Sequence, residues 1–524
     1  MNYLIHHMLS ASSCRFPDKE ALVDKGMRLS YANVAKQVAG FAEGLRQGGL
    51  RRGDRVGIYL ETSVLQALCI FGISRAAGVF VPINSLLFPE QVAHIANDCQ
   101  IRVLITTREK LAALAPILKG VPSLEFVVVT GEGPGAEVRQ AIFELSELFG
   151  LADAQGNWRE RGIEKDLAAI LYTSGSTGKP KGVMLSHGQV MAGSSIVSDY
   201  LRITCDERII GVLPLSFDAG LNQLMTAIQQ GGTYVPMTFT FAREIVKTLE
   251  REQITGMAGV PTLWSLISQS NSTLAKTQLP HLRYITNTGG RMPQTVLADL
   301  RRLLPTTEIF LMYGLTEAFR STYLPPEELD RRSDSMGKAI PDTEIMVVNE
   351  KGERCQPGEV GELVHRGPTV SLGYWGLPEL TATVLRPHPF APPELGDSEK
   401  VCYSGDLVRM DDEGYLYFIA RRDNMIKCSG FRVSPTEVEE VLFQSGKVRE
   451  VGVIGIPDPV LGQAIKAVVV PREDNTVSAD ELTAHCAAKL PRYMVPKTVI
   501  IRDSLPKTSS GKVDYPALRK SMVE

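Results

Sequence analysis

Short apolar runs alternate with longer helical ones through residues 54–312. The runs at 54–60, 79–83, 101–106 and 124–130 are typical of buried strands, and those at 63–77, 89–99 and 111–119 are typical of helices. After a segment at 131–166 that is predicted to be irregular, strands are predicted at 208–214, 233–237, 256–260, 282–286 and 308–312, and helices at 187–201, 220–231, 242–252, 262–269 and 293–304. Strands separated by helices predict a mainly parallel sheet covered by helices. The sequence therefore predicts a body of two successive α/β units.

The pattern changes after about residue 335. Short strand-like runs between 345 and 420, separated by turn residues, predict a small antiparallel β subdomain, and the proline-rich and acidic stretch 386–399 is predicted to be an exposed loop. Mixed helical and strand-like runs return at 435–444, 449–456, 464–470, 479–489 and 498–502. These runs have enough apolar content for a small α+β domain. The predicted division is a body at 1–420, a hinge at 421–423 and a mobile C-terminal domain at 424–524.

Composition excludes several classes of protein. A chain of 524 residues is too long for one core, so two to four domains or subdomains are expected. The 59 acidic and 56 basic residues give a net charge of −3, which argues against a nucleic-acid partner. No apolar run reaches the roughly 18 residues of a membrane span, and the N-terminal stretch lacks a signal-peptide layout. The eight cysteines form no C-x-x-C pair, which predicts reduced thiols, no zinc site and a cytoplasmic location.

The stretch from Tyr172 to Gly182 (YTSGSTGKPKG) follows an apolar run and combines hydroxyls, glycines and lysines. Glycines let successive backbone N–H groups converge on an anion, and hydroxyls and lysines add donors and positive charge. The spacing differs from the G-x-x-x-x-G-K-[ST] phosphate loop. A solvated turn is the alternative, since such residues cluster in turns. The ordered string after a buried strand favours a loop that holds phosphates.

Three further motifs lie near the ends of predicted strands, where α/β enzymes place their chemistry. The segment from Tyr313 to Glu317 (YGLTE) offers a threonine for phosphate and a carboxylate for Mg²⁺, which prefers oxygen ligands. The segment YSGD ends at Asp406, a carboxylate suited to ribose hydroxyls, and TSSGK ends at Lys512. The alternatives are an ordinary helix N-terminal acid for Glu317 and a solvated lysine for Lys512. Each motif alone is weak.

Together and in this order, the motifs resemble the adenylate-forming superfamily, which includes AMP-dependent acyl-CoA synthetases, aryl-CoA ligases, firefly luciferase and peptide-synthetase adenylation domains. The resemblance runs from PDKEALVD near residue 17 to LPKTSSGKVDY at Tyr515. It implies a large body, a small mobile C-terminal domain and two steps. A carboxylate first attacks the α-phosphate of ATP with release of pyrophosphate, and a thiol, usually that of CoA, then displaces AMP. ATP, Mg²⁺ and CoA are the implied cofactors.

The resemblance also assigns roles to individual residues. Lys512 would bridge the carboxylate and the α-phosphate, Thr316 would contact phosphate, and Glu317 would bind Mg²⁺. The remaining implied nucleotide contacts are Thr173, Ser174, Gly175, Ser176, Thr177, Gly178, Lys181, Gly289, Gly290, Arg291, Tyr313, Gly314, Asp406 and Arg421. Arg291 replaces a usual small residue, so a backbone role transfers to it better than a side-chain role. Asp423 falls at the hinge, and Gly430 and Arg432 fall where the family lines the thioester-forming face.

The segment from Leu213 to Gly220 departs from the pattern of many acyl-CoA synthetases. Phe217 fits as the aromatic gate near the thiol tunnel, whereas Asp218 matches the aspartate with which amino-acid adenylation domains bind the substrate ammonium. A buried acid without a partner is costly. Asp218 is therefore expected either to meet a cation or to be solvated or structural.

Three functions remain open at this stage. The first is an AMP-forming acyl-CoA synthetase acting on a small-molecule carboxylic acid. The second is a stand-alone enzyme that loads an amino acid or acyl group onto a carrier-protein pantetheine. The third, a catalytically silent nucleotide-binding protein, predicts loss of Lys512, Glu317 or Asp406, all of which are present. The choice of acid is predicted to lie in 217–225, 260–264 and 287–317.

Overall fold

A computed structural model of the chain describes residues 2–151, 162–174, 180–269, 272–428, 431–458, 461–472, 477–508 and 511–522. The side chains of Ser174, Asp423 and Arg432 are outside this description. Predictions for Gly175, Ser176, Thr177, Gly178 and Gly430 lie outside the described residues.

The first part of the body contains a sheet with the strand order β7-β6-β5-β3-β4-β8-β9. Its strands are parallel except for the antiparallel pair β8 and β9, which flank the predicted phosphate loop as a hairpin. The elements are α1 (Ile5–Arg15), β1 (Glu20–Asp24), β2 (Met27–Ser30), α2 (Tyr31–Gln47), β3 (Arg55–Tyr59), α3 (Val64–Arg75), β4 (Val79–Pro82), α4 (Pro89–Asp98), β5 (Val103–Thr107), α5 (Arg108–Leu118), β6 (Phe126–Thr130), β7 (Ala141–Glu144), α6 (Leu145–Gly150), β8 (Leu167–Ser174) and β9 (Pro180–Ser186).

The segment 131–166, predicted to be irregular, contains the edge strand β7 and the short helix α6. Helix α6 buries Leu145 and Leu148, and Gly44 of α2 provides the space that the Leu148 side chain fills. A six-residue helix is too short to show a helical repeat in the sequence, so tertiary packing determines it. The prediction for this segment was wrong at these two elements.

The second part of the body contains a sheet with the order β16-β15-β14-β13-β12-β10-β11-β1-β2. Its further elements are α7 (His187–Tyr200), β10 (Arg208–Gly211), α8 (Asp218–Gln230), β11 (Thr233–Pro236), α9 (Ala242–Arg251), β12 (Gly256–Gly259), α10 (Pro261–Ile267), β13 (Tyr284–Asn287), α11 (Gln294–Leu303), β14 (Glu308–Leu315), β15 (Ala318–Leu324), α12 (Leu329–Arg332) and β16 (Lys338–Ala339). Strand β1 pairs in parallel with β11, joining Leu22 to Tyr234. The two α/β units are therefore interleaved rather than strictly successive.

The YGLTE motif forms a β-hairpin instead of following a strand that ends at Met312. Strand β14 continues to Leu315, and the antiparallel strand β15 begins at Ala318, so the motif occupies the tip of the pair. A Cβ atom on Gly314 would lie 3.0 Å from the backbone nitrogen and Cα of Arg320. Glycine at 314 thus permits the close approach of the two strands.

The remaining elements form a β subdomain and a small C-terminal domain. They are β17 (Glu344–Val348), β18 (Val360–Arg366), α13 (Pro378–Val384), β19 (Leu385–Pro387), β20 (Lys400–Met410), β21 (Leu416–Arg421), β22 (Ile426–Cys428), β23 (Phe431–Val433), α14 (Pro435–Phe443), β24 (Val448–Asp458), β25 (Gly462–Pro471), α15 (Ala479–Lys489), β26 (Thr498–Ile501) and α16 (Tyr515–Lys520). Apart from β19, most of 386–399 is exposed, as predicted. The α/β body with a small mixed C-terminal domain confirms the predicted fold class. Among the described helices, none is both long and apolar enough to cross a membrane.

Candidate active site

Lys512 of the C-terminal domain lies against the turn at Gly289 and Gly290 of the body. A Cβ atom on Gly289 would lie 2.6 Å from Cε of Lys512 and 3.3 Å from its Nζ. Gly289 also has a φ of +79°, a left-handed conformation that favours glycine. The Nζ atom lies 5.2 Å from the centre of the Phe217 ring, within the range of a cation–π contact. The fold thus brings together three sequence-predicted site residues from distant parts of the chain.

The C-terminal domain docks on the body through polar contacts around this lysine. Thr262 donates from Oγ1 to the carbonyl of Gly511 at 3.0 Å, and Ser265 donates from Oγ to the carbonyl of Arg449 at 3.2 Å. The guanidinium of Arg291 lies 4.0 Å from Oε2 of Glu440 on α14. The Arg291 side chain therefore faces the C-terminal domain. These contacts set the position of Lys512, and no local sequence pattern reveals them.

Four charged side chains from separate motifs influence the pKa of Lys512. Burial lowers the pKa of Lys512, and the negative charge of Asp218 opposes that effect most strongly. The charge of Arg421 lowers the pKa further, whereas Asp406 and Glu317 raise it. Since all four groups act on one ammonium, the carboxylates of the separate motifs converge on a single site.

Asp406 lies on β20 and is almost fully buried, with 3% of its surface exposed. It accepts hydrogen bonds from the Tyr313 hydroxyl and from Nε of Arg421, the latter at 2.7 Å. The carboxylate raises the pKa of Arg421, and burial together with the same carboxylate raises the pKa of Tyr313. Tyr313 and Arg421 thereby hold Asp406 as an oriented anion that can still accept from a ligand hydroxyl.

Glu317 lies in the turn between β14 and β15, beside Thr316. Its Oε1 accepts from the Tyr374 hydroxyl at 2.6 Å, and Nζ of Lys181 lies 3.5 Å from the same hydroxyl. Lys181 in turn pairs with Thr173 across the β8–β9 hairpin. Tyr374 thus joins the phosphate-loop strands to the acidic turn. Sequence reasoning missed this tyrosine because its partner is 57 residues away.

Asp218 begins α8 and is buried, with 5% of its surface exposed. Its Oδ1 accepts from the backbone N–H of Ala219 at 2.8 Å. The negative charge of Asp218 is the largest effect that opposes the lowering of the Lys512 pKa by burial. The choice between a cation-binding role and a solvated or structural role for Asp218 stays a prediction.

Comparison with known protein families places both parts of the chain. The family model described as AMP-binding enzyme matches residues 9–375, and the model described as AMP-binding enzyme C-terminal domain matches residues 437–512. A feruloyl-CoA synthase from Amycolatopsis sp is 33% identical, with 95% of this chain and 94% of that protein covered. A long-chain-fatty-acid–CoA ligase from Salmonella typhimurium is 31% identical, with 96% and 91% covered.

Solved structures agree with these matches. ATP-bound MatB from Rhodopseudomonas palustris has a TM-score of 0.87 at 27% identity, with 99% of each chain covered. The anthranilate–CoA ligase AuaEII in complex with anthranoyl-AMP has a TM-score of 0.89 at 26% identity, with 99% of this chain and 97% of that chain covered. The chain belongs to the AMP-binding enzyme family and is an ATP-dependent, AMP-forming acyl-CoA ligase.

Proposed function

We propose that Lys512 is the residue that joins the reacting carboxylate to the α-phosphate of ATP, and that the described geometry is the adenylating arrangement. The observation that carries this proposal is the position of its ammonium between the Gly289 turn and the Phe217 ring. A carboxylate oxygen attacks the α-phosphorus there, and the bond to the bridging β-phosphate oxygen breaks. Lys512 neutralises the negative charge that gathers in this transition state.

The other residues position ATP for this attack. Asp406, held by Tyr313 and Arg421, accepts from the ribose hydroxyls. Thr316, Thr173 and Lys181 contact the phosphates, and Gly289 and Gly290 let the backbone approach the adenylate. The loop between β8 and β9 supplies the remaining phosphate contacts predicted from the sequence.

The acidic turn fits a magnesium ion. Within the described residues, the Glu317 carboxylate has only the Tyr374 hydroxyl as a hydrogen-bond partner, on Oε1, which leaves Oε2 for a cation. Mg²⁺ is commonly bound by one or two protein carboxylates together with substrate phosphates. When bound, the ion would neutralise phosphate charge and favour departure of pyrophosphate.

Thioester formation requires a second arrangement of the C-terminal domain. We place the domain boundary at the hinge 421–423, with Asp423 as the pivot and Gly430 and Arg432 on the face that then meets the body. Body and C-terminal domain have separate sheets, and β21 ends at Arg421. In this step the thiol sulfur attacks the acyl carbon and the bond to AMP breaks.

The names of the relatives support CoA as the acceptor and an aryl or fatty acid as the broad substrate class. No described contact favours a carrier protein as the acceptor. None of the eight cysteines, all of which lie in the described part of the chain, forms a disulfide, which supports a reducing compartment such as the cytoplasm.

A measurement of pyrophosphate release from ATP·Mg²⁺ tests this function. A panel of fatty, aryl, dicarboxylic and amino acids is compared with and without CoA, and products are identified by mass. We expect acid-dependent pyrophosphate release and conversion of the acyl-adenylate to acyl-CoA when CoA is present. Formation of ADP instead of AMP, or no acid-dependent release over the whole panel, would contradict it.

A further inference from the structure

Arg320 on β15 is a buried arginine without an acidic partner in the described part of the chain. It has 3% of its surface exposed. Its Nη1 donates to Oγ1 of Thr288 at 3.0 Å, and its Nε is buried with no hydrogen-bond partner among the described residues. Burying a guanidinium is expensive unless a charge and hydrogen bonds compensate it. One neutral hydroxyl leaves most of that cost uncompensated.

The backbone of Arg320 is also strained. Its φ is +77°, in the left-handed region that residues other than glycine rarely adopt. The nearby Gly314 provides the space for this conformation, and the Thr369 hydroxyl donates to the Arg320 carbonyl at 3.3 Å. Such strain is concentrated at functional sites. Arg320 thus makes two unfavourable contributions to the stability of the fold, a buried charge without an acidic partner in the described part of the chain and a strained backbone.

Thr288 connects this arginine to the reaction centre. It directly precedes Gly289, whose Cα the Lys512 side chain approaches. The Arg320 guanidinium therefore contacts the residue that precedes Gly289, the glycine against which the Lys512 side chain packs. For an acid whose reacting carboxylate lies at Lys512, the path past Gly289 and Thr288 leads to the Arg320 guanidinium.

A second buried side chain with an unpartnered donor lies on helix α8. Asn222 is buried, with 1% of its surface exposed, and its Nδ2 has no hydrogen-bond partner among the described residues. Positions four apart on a helix share a face, so Asn222 lies on the face that carries Asp218. The Asn222 amide, like the Arg320 guanidinium, thus carries a donor that suits an acceptor oxygen.

We propose that Arg320 anchors a second carboxylate of the substrate, so that the acid activated by this ligase carries two carboxylates. One carboxylate reacts at Lys512, and the other pairs with the Arg320 guanidinium, which suits carboxylate geometry. The arginine acts as a specificity residue and takes no part in bond making. This inference rests on the proposed adenylation at Lys512.

Matched acid pairs test the anchor. Pyrophosphate release is measured with succinate against butyrate, adipate against hexanoate, suberate against octanoate and terephthalate against 4-methylbenzoate. The variants are Arg320→Met, Arg320→Lys and the surface control Arg301→Met, whose side chain is 46% exposed. For at least one pair, we expect the wild type to favour the diacid by about 100-fold in kcat/KM, the scale of a lost hydrogen-bonded charge. Arg320→Met should lose that preference while keeping its activity on the monoacid, and Arg320→Lys should be intermediate.

Two results would overturn the anchor: equal use of diacid and monoacid in every pair, or an equal loss on both acids in Arg320→Met. Loss of fold does not confuse the test, because replacing a buried unpaired charge with an apolar side chain is often neutral or stabilising. Thermal melting with and without each diacid adds a readout that needs no turnover. Diacid protection of the wild type and Arg301→Met, but not of Arg320→Met, supports the anchor even if adenylation fails. Equal protection of all variants, or of none, contradicts it.

Discussion

Asp406 and Arg320 are equally buried, each with 3% of its surface exposed, but their partners differ. The Asp406 carboxylate accepts from a tyrosine and an arginine, whereas the Arg320 guanidinium donates, among the described residues, only to a threonine. We call the surroundings of Asp406 and Glu317 the nucleotide end of the site, and those of Thr288 and Arg320 the acid end. At the nucleotide end, protein partners hold Asp406 and Glu317 in place, which suits the proposed binding of a co-substrate that is the same in every turnover. At the acid end, the charge remains available, which suits a group that must be completed by the substrate.

Lys512 lies between the two ends, and its removal should have the largest effect. We expect Lys512→Ala to lower the rate of pyrophosphate release by ~10²–10³, the usual consequence of losing a donor to a developing anion. Thioester formation from a supplied acyl-adenylate should change little, because we propose that this step uses a different arrangement of the C-terminal domain. The control is Lys507→Ala, which removes a nearby lysine paired with Glu450 at 3.0 Å. A comparable loss in both half-reactions would show that Lys512 serves the fold or both steps.

The nucleotide end predicts a defect in ATP use for Asp406→Asn. Tyr313 donates to Oδ2 of Asp406 and Arg421 donates to Oδ1. Asparagine replaces one of these oxygens with an NH2 donor, so one of the two partners loses its acceptor. We expect the KM for ATP to rise about 10–100-fold, from ~1.5–3 kcal/mol per hydrogen bond to a charged group. The preference among acids should stay the same. Asp411→Asn is a matched control, since Asp411 also accepts from a tyrosine, Tyr417, at 3.1 Å. A changed preference among acids in Asp406→Asn would show that the nucleotide end and the acid end do not act independently.

The same two ends differ in how far the sequence predicts them. The nucleotide end consists of residues in ordered motifs, so Glu317 and Asp406, like Lys512 between the two ends, could be named as candidates before their contacts were known. The acid end has no motif of this kind. The segment expected to select the acid stopped at residue 317, three residues short of Arg320, because a strand following a hairpin at YGLTE gave no local signal.

Long-range pairing limits the prediction of the fold in the same way. The alternation of strands and helices specified the α/β class, since each buried strand and each amphipathic helix has its own period. It did not specify that β1 pairs with β11, a contact between Leu22 and Tyr234. Nor did it reveal Tyr374 beside Glu317. Register between distant elements depends on packing that no sequence window contains.

The Lys512 ammonium between the two ends is expected to make the pH dependence of pyrophosphate release sensitive to Asp218→Asn. Burial lowers the pKa of Lys512, and Asp218 opposes this effect, so removal of the acid should lower the pKa further. Lys512 would then lose its proton at a lower pH, and the alkaline limb of the pH profile for pyrophosphate release should move to lower pH. Asp206→Asn, at an exposed acid, is the control. An alkaline limb that stays in place, with a large rise in KM for the acid alone, would instead assign Asp218 to substrate binding.

The smallest effect is expected for Tyr374→Phe. This variant measures how much the hydrogen bond between Tyr374 and Glu317 contributes to pyrophosphate release. The tyrosine hydroxyl donates to Oε1 of Glu317 at 2.6 Å, so the variant frees the carboxylate without removing its charge. We expect a loss of about three- to tenfold in pyrophosphate release, from ~0.5–1.5 kcal/mol for one hydrogen bond, with an altered Mg²⁺ dependence. Tyr417→Phe removes a similar bond to a carboxylate, Asp411, and should change neither. If the Tyr374→Phe loss disappears at saturating Mg²⁺, the tyrosine orients Glu317 for the cation. If the loss persists and the Mg²⁺ dependence is unchanged, the pairing positions the phosphate-loop strands through Lys181 instead.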